Sequence, residues 1–334
     1  MKRRLQNRIA ESSVTLPAVC IVTLLLWGMP WKGYSLVHLG GVLVCAVTAY
    51  VLIETDSVHA LLRIRSRMIS CLFLLLMAVC RFMHPINSET ILQLCMAVTY
   101  YFLLRTYEHH HPEGSTFHAF LLLSVGSLVW PPLLLLTPVL IWNQGIFMRS
   151  LHWNSFCAAI LGLLLPYVLW GSLLTGKMVF SILTTPVSDT PLDGITAFTP
   201  IVQHAAAVIA PFQEPLLWPP AIVSWTYHHP SECFALSVVL LVGLTGFIHY
   251  IRKSYDDKIR VRMCHYSFML MQAVILFWLL LQPQYFPQLF PLFLLMTVPA
   301  AAHFVALTHT WFSNAWVVLL TLLIAAVAVI TLTN

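Results

Sequence analysis

The chain has 334 residues, of which 59% are apolar and only 9% are Asp, Glu, Lys or Arg. An ordinary soluble domain carries about 25% charged residues, so this composition excludes a water-soluble globular protein. The formal net charge of +5 comes from basic residues near the ends of apolar runs, without interleaved exposed aromatic residues. This pattern argues against nucleic acid as a partner.

The apolar residues fall in runs of about 15 to 21 residues, the length that a helix rising 1.5 Å per residue needs to cross a hydrocarbon core of about 30 Å. We therefore predict an all-α fold, a polytopic bundle of about 11 transmembrane helices within a single transmembrane domain, residues 1–334. The predicted spans are 14–30, 35–53, 68–82, 89–104, 117–129, 131–148, 155–175, 233–250, 264–281, 287–306 and 314–332.

The basic residues predict the orientation, because Lys and Arg are retained on the cytoplasmic side during insertion. With the amino terminus inside, fourteen of the 17 basic residues lie in inner segments, and the outer ones are Lys32, Arg81 and Lys177. No small-residue cleavage site follows the basic start Met1–Arg8, so we expect the first apolar run to be retained as a span. An odd number of spans then places the carboxyl terminus on the outer side.

Trp130, Pro131 and Pro132 interrupt the apolar region 117–148. The two prolines cannot continue a helix, so we predict a short helical hairpin with these residues at its outward tip. A proline kink within one span is the alternative. Breaks of this kind line cavities in many membrane proteins.

Residues 176–232 are the longest stretch without a predicted span, and we expect them to form an external loop. The stretch opens with turn-forming residues, Ser188–Gly194. Residues 201–225 are apolar, aromatic and broken by prolines, which predicts an interfacial or re-entrant segment.

Two short segments, Ile64–Met68 and Ile259–Met263, share four of five residues, and each precedes a span that runs from inside to outside. They are either two topogenic anchors or the mark of a parallel internal repeat, as in some transporters. If the spans that follow them are neighbours, their guanidinium groups suit lipid phosphate oxygens. The candidate lipid- or phosphate-binding residues are Arg65, Arg67, Arg260 and Arg262.

Carboxylates on the outer side are the candidate catalytic groups, namely Asp189, Asp193, Glu214 and Glu89. A turn can converge Asp189 and Asp193 on a metal or a nucleophile, but such residues also cap backbone amides. The sequence carries no Walker loop, dinucleotide fingerprint or nucleophile elbow, so whether the protein is an enzyme stays open.

Histidines raise the question of metal binding. The run His109–His111 cannot easily chelate one ion from a regular helix and has no Cys nearby, so we predict no metal site and no cofactor. The centres of the spans hold no Asp, Glu, Lys or Arg, and histidines such as His118 and His303 are expected to hydrogen-bond neighbouring helices.

Two stretches carry a resemblance to known proteins: Phe120–Pro166, with its Trp-Pro-Pro and leucine-rich run, and Asp257–Met263 followed by Leu281-Gln282-Pro283. Together they resemble a family of multi-pass inner-membrane proteins found in Bacteroidetes. The resemblance runs over most of the chain and implies a multi-pass architecture in the bacterial inner (cytoplasmic) membrane. In that membrane, the orientation predicted from the basic residues puts the amino terminus in the cytoplasm and the carboxyl terminus in the periplasm.

The first of these stretches also resembles, more loosely, the scaffold of the GT-C superfamily of polyprenyl-phosphate-sugar glycosyltransferases. Those enzymes carry an acidic catalytic residue in the first outer loop, whereas Trp31–Tyr34 contains no acid. A catalytically active member would therefore have to use Glu89 or Asp189.

Three functions follow as hypotheses. The chain binds a lipid or lipid-linked molecule, or supports an envelope complex; it is a GT-C-like glycosyltransferase that uses a polyprenyl-phosphate sugar; or it is a transporter built from a parallel repeat. The expected partners are membrane lipids, together with a lipid-linked glycan carrier or other envelope membrane proteins.

Overall fold

A computed structural model describes residues 12, 14–28, 36–64, 66–184, 199–213, 225, 227–308 and 310–333. These ranges contain helices and no strand, as the all-α prediction requires. The α-helices are α1 (Thr15–Gly28), α2 (Leu36–His59), α3 (Met68–Val79), α4 (Ser88–Arg105), α5 (Glu113–Val129), α6 (Thr137–Ile146), α7 (Trp153–Thr184), α8 (Thr199–Gln213), α9 (Pro230–Lys253), α10 (Ile259–Leu281), α11 (Phe286–Leu307) and α12 (Trp311–Thr333).

Six helical segments in the described ranges are long and apolar enough to cross a membrane: Leu36–His59, Trp153–Gly176, Pro230–Asp256, Ile259–Leu281, Pro283–Leu307 and Trp311–Thr331. The described chain thus has the helices of a multi-pass membrane protein. Three further apolar helices, α1, α3 and α5, are shorter. The 12 residues of α3 reach only about 18 Å of a core of about 30 Å. The total of about 11 spans therefore stays a prediction.

The chain divides into two compact units. Unit 1 comprises residues 1–104 and 216–334, and unit 2 comprises residues 105–215. Within the predicted external loop 176–232, the structure describes the end of α7, helix α8 and residues 225 and 227–232. The interfacial or re-entrant placement of that loop stays a prediction, as does a single transmembrane domain.

Helix α11 is the core of unit 1 and packs against α3, α9 and α10. Every side chain from residue 289 to residue 304 is buried, as expected for a helix that is apolar on all faces. The backbone of α9 approaches α11 closely at Gly246, where a Cβ atom would lie 2.6 Å from the backbone nitrogen of Ala301. Helix α11 thus lies among its neighbours with no face exposed over these residues.

The helix ends of unit 1 gather at two opposite sides. On one side, Trp27 stacks on His84 with ring centroids 4.1 Å apart, and the Ile86 amide donates to the Val37 carbonyl at 3.0 Å. Gly41 lets the His84 carbonyl approach α2, because a Cβ atom there would lie 1.9 Å from the carbonyl oxygen. The loop after α3 therefore packs against the start of α2. The loops after α2 and α9 meet at the other side, as described below.

Helices α5 and α6 form a helical hairpin in unit 2. Helix α5 ends at Val129, Trp130 is extended, and Pro131–Leu136 form a 3₁₀ turn that leads into α6. The Gln144 side chain near the end of α6 donates to the Thr116 hydroxyl in the first turn of α5 at 2.8 Å. Because the distal ends of the two arms touch, the arms lie side by side, and Trp130, Pro131 and Pro132 make the turn between them.

Helix α7 packs closely along α5. At Gly162 a Cβ atom would lie 2.5 Å from the Phe117 carbonyl oxygen, so only glycine permits this approach. The Ser124 hydroxyl donates to the Leu163 carbonyl at 2.7 Å and joins the two helices. Helix α8 packs against the 3₁₀ turn of the hairpin.

We expect Gly246→Ala to destabilise unit 1 by about 1–3 kcal/mol, the usual cost of overpacking a close contact. The nearest atoms belong to the backbone of α11, which cannot move aside as a flexible side chain could. Gly171→Ala is the matched control, since it is also helical but has no atom within 4 Å of the added Cβ. Unfolding followed by tryptophan fluorescence in detergent should show the loss for Gly246→Ala alone; equal behaviour of the two variants would contradict the close packing.

Candidate functional site

The loops after α2 and after α9 meet at one end of unit 1. The Arg63 guanidinium pairs with the Asp257 carboxylate, and His265 Nε2 donates to the Leu61 carbonyl at 3.0 Å. The Arg260 guanidinium donates to His59 Nδ1 at 3.1 Å. These contacts join the two segments that carry the similar Arg-x-Arg sequences, which are about 200 residues apart in the chain.

The loop after α2 is shaped by local hydrogen bonds. Ala60 ends the helix with a φ of 50°, a left-handed conformation, and its amide donates to the Asp56 carbonyl at 2.7 Å. The Leu62 amide donates to the Asp56 side chain at 3.2 Å. The chain is thereby turned so that the Leu61 carbonyl and the Arg63 side chain both reach the α9–α10 loop.

Asp257 is the central charged residue of this end, and its side chain has no exposed surface. It accepts hydrogen bonds from Arg63 and, at 3.2 Å, from His303 Nε2. Burial raises the pKa of Asp257, but the hydrogen bonds from His303 and Arg63, together with the positive charge of the Arg63 guanidinium, outweigh it and hold the pKa at about 2. Asp257 is therefore ionised at neutral pH.

Aromatic and imidazole rings pack around Tyr250 next to this carboxylate. The ring centroid of Tyr250 lies 4.3 Å from that of His265 and 4.8 Å from that of His303. The His249 ring lies 5.7 Å from His303. We refer to Arg63, His249, Tyr250, Asp257, His265 and His303 as the buried polar cluster. The side chains of this cluster can hold charge and exchange protons. In the described part of the chain, no three His, Cys, Asp or Glu residues are placed to hold a metal ion.

An apolar cavity of about 200 Å³ lies beside the buried polar cluster within unit 1. Phe304 lines this cavity and also meets the His249 ring edge to face, with centroids 5.3 Å apart. Helices α1, α3, α9, α11 and α12 all contribute to its wall. Among the lining residues are Thr15, Met68, Leu72, Thr245, Val305 and Thr321.

Basic side chains surround the same end of unit 1. Of the candidate phosphate-binding residues, Arg67 and Arg260 are exposed and Arg262 is half-buried. Arg67 directly precedes both α3 and the cavity-lining Met68. Arg65 lies outside the described residues. The exposed basic side chains nearby in sequence are Arg252, Lys253 and Lys258.

Of the four candidate catalytic carboxylates, the structure describes one. Glu89 is in the first turn of α4 and is half-buried. Asp189, Asp193 and Glu214 lie outside the described residues. The described part of the chain therefore brings no two of these four acids together.

The sequence did not predict the buried polar cluster. Arg63 and Asp257 fall in segments whose composition is typical of solvated loops, and the histidines are isolated in apolar runs. His303 was expected to hydrogen-bond a neighbour, and its partner is Asp257 in the α9–α10 loop. The available signal was an acidic residue directly beside a basic segment, together with three histidines and a tyrosine near the same predicted helix ends.

No protein-family model, curated protein or solved structure matches the chain. The site must therefore be interpreted from its own geometry.

We expect Asp257→Asn to destabilise unit 1 by about 1.5–3 kcal/mol near neutral pH, since it removes hydrogen bonds to a buried charge. Asp256→Asn is the matched control, because that side chain is 39% exposed and lies 3.8 Å from the same arginine. Its effect should be within about 1 kcal/mol. Denaturant unfolding of both variants measures the difference, and equal losses would contradict a central role for Asp257.

The destabilisation by Asp257→Asn should depend on pH. The pKa of Asp257 in the folded protein, about 2, lies below its ordinary value of 3.8, so the ionised carboxylate adds stability at pH values above about 4. That contribution is lost as the pH falls through about 2. The gap in unfolding free energy between wild type and Asp257→Asn should narrow from pH 4 to pH 2; a constant gap would mean that the ionised carboxylate is not its source.

Proposed function

We propose that unit 1 binds a phosphate-bearing lipid of the bacterial inner membrane, with its chain in the apolar cavity and its phosphate on the neighbouring basic surface. The observation that carries the proposal is that the cavity and the basic surface are adjacent. Met68 lines the cavity, and the exposed Arg67 directly precedes Met68 in the chain. A cavity with an almost wholly apolar lining takes hydrocarbon.

The guanidinium groups fit the phosphate of such a lipid. A guanidinium offers a planar fork of donors that matches phosphate oxygens, and basic residues at a membrane surface attract anionic head groups. Arg262 has a buried Nε that meets no acceptor among the described residues, so it holds an unused donor near Arg260. Both Arg-x-Arg segments thus offer donors at one end of unit 1.

We place this end of unit 1 in the cytoplasm. Lys and Arg residues are retained on that side during insertion, and the segments 63–67 and 252–262 are the richest in basic residues after the amino terminus. The contacts of Arg63 with Asp257, and of Asp257 with His303, bring together three helix ends that alternation of the predicted spans assigns to the same side. The lipid is then one of the cytoplasmic leaflet.

We expect Thr321→Trp to reduce the lipid retained by the purified protein about tenfold, which corresponds to about 1.4 kcal/mol. Thr321 lines the cavity, so an indole at this position fills space that the lipid chain would use. Leu322→Trp is the matched control, because its side chain is 63% exposed on the same helix and does not line the cavity. Native mass spectrometry measures the bound lipid, and equal retention by the two variants would overturn the chain-binding part of the proposal.

Arg67→Glu tests the phosphate-binding part. We expect it to weaken binding of an anionic phospholipid about tenfold or more relative to a zwitterionic one, since each basic residue near an anionic surface contributes about 1 kcal/mol and reversal adds repulsion. Arg252→Glu is the control. Arg252 is exposed and predicted to lie on the same side of the membrane, but it does not belong to an Arg-x-Arg segment.

The Arg67→Glu measurement requires that orientation be unchanged, which cysteine labelling of the loops can establish. If Arg67→Glu and Arg252→Glu lower anionic-lipid preference equally, the basic residues act only as topogenic anchors. If neither does, phosphate recognition at this surface is wrong, while the cavity result still stands by itself.

A further inference from the structure

Hydrogen bonds indicate the tautomers of two histidines in the buried polar cluster, His265 and His303. A backbone carbonyl can only accept, so the His265 Nε2 that bonds the Leu61 carbonyl carries a hydrogen. The His303 Nε2 bonds an Asp257 carboxylate that Arg63 also holds, so it carries a hydrogen as well. In the neutral ring of each histidine, Nδ1 is then an acceptor.

Neither of these acceptors has a partner among the residues that the structure describes. The Nδ1 atoms of His265 and His303 are buried and accept no hydrogen bond from the described residues. His249 Nε2 is also buried and has no hydrogen-bond partner among them. The His265 and His303 rings are 5.5 Å apart, and His249 is 5.7 Å from His303. The three unpartnered nitrogens thus belong to rings that pack together, since His249 and His265 each contact His303.

Buried polar atoms in folded proteins almost always have a partner, either in the protein or in ordered water. Hydrocarbon chains offer no donor, so a partner that reaches these nitrogens comes from the aqueous side. Arg63 is the connection, because its side chain is 38% exposed while its guanidinium contacts the fully buried Asp257. Polar sites with two to four hydrogen-bonding groups are those that hold buried water.

We propose that the buried polar cluster encloses water that donates to His265 Nδ1 and His303 Nδ1, and that this hydrated cluster is a proton-binding site. An excess proton delivered as hydronium passes to His303 Nδ1, which forms an imidazolium and leaves a neutral water. The Asp257 carboxylate, already bonded to His303 Nε2, is the counter-charge. The cluster meets the apolar cavity at Phe304, but the proton-binding proposal does not rest on lipid binding.

The charges around His303 favour the binding of one proton to the cluster and oppose the binding of a second proton. Asp257 attracts the imidazolium, whereas Arg63 and any further protonated imidazole repel it. The titratable groups that contact His303 are His249, Tyr250, Asp257 and His265. The charged and titratable groups that interact with these four in turn are Arg63, Lys253, Asp256, Cys264 and Tyr266.

Nitrogen-15 NMR of histidine-labelled full-length protein in nanodiscs tests the site between pH 4 and pH 9. The expected result is magnetisation transfer from water to the His265 and His303 rings, with His303 changing from the Nε2-protonated tautomer to imidazolium within this range. His303→Gln, whose amide can still donate to Asp257, assigns the signal and should take up one proton fewer. His118→Gln removes an exposed histidine as the control and should leave both cluster signals unchanged.

Two outcomes would overturn the proposal. One is a wild-type spectrum in which neither ring receives magnetisation from water. The other is a wild-type spectrum in which all cluster histidines keep one neutral tautomer from pH 4 to pH 9. Both are read on the wild-type protein, so failure of His303→Gln to fold does not remove the test. His265→Gln then supplies the assignment by elimination.

Discussion

The burial of one negative charge constrains the whole of unit 1. A carboxylate with no exposed surface is tolerated in a protein interior only when it is paired and hydrogen-bonded. Asp257 meets this requirement through Arg63 from the loop after α2 and His303 from α11. Three elements must therefore come together at once, and the Arg-x-Arg segments, the ring packing around Tyr250 and the end of α11 are placed by that meeting.

The helical class of the fold could be predicted from the sequence, because the length and composition of apolar runs are local properties. Runs such as 36–59 and 259–281 carry that signal within a single helix. The short helices carry less of it: α3 has 12 residues where 15 were predicted as a span, because Arg67 and Cys80 flank a shorter regular segment. Crossing number is consequently harder to predict than helix content.

The candidate site could not be predicted in the same way. Arg63 and Asp257 are 194 residues apart, and no local pattern records which of many loop residues will pair. Charged residues beside a membrane span are typical of solvated anchors, so composition favoured that interpretation for both Arg-x-Arg segments. The Arg-x-Arg similarity pointed to the end of unit 1 at which the buried polar cluster lies, whereas the outer carboxylates Asp189, Asp193 and Glu214 lie outside the described residues.

The cavity and the buried polar cluster share a wall at Phe304, so the same helix end presents hydrocarbon on one side and ionisable groups on the other. The same aromatic ring therefore packs against an apolar space on one side and a buried imidazole on the other.

Unit 1 is discontinuous along the chain, because the residues of unit 2 lie in the sequence between its two parts, residues 1–104 and 216–334. A ribosome makes the first part long before the second, and domains form in the order in which their residues emerge. Helices α1 to α4 are therefore made before α9, α10 and α11, and Arg63 is made long before its partner Asp257. The contacts that complete unit 1 are long-range, and they carry a larger loop-closure cost than the local contacts within each helix.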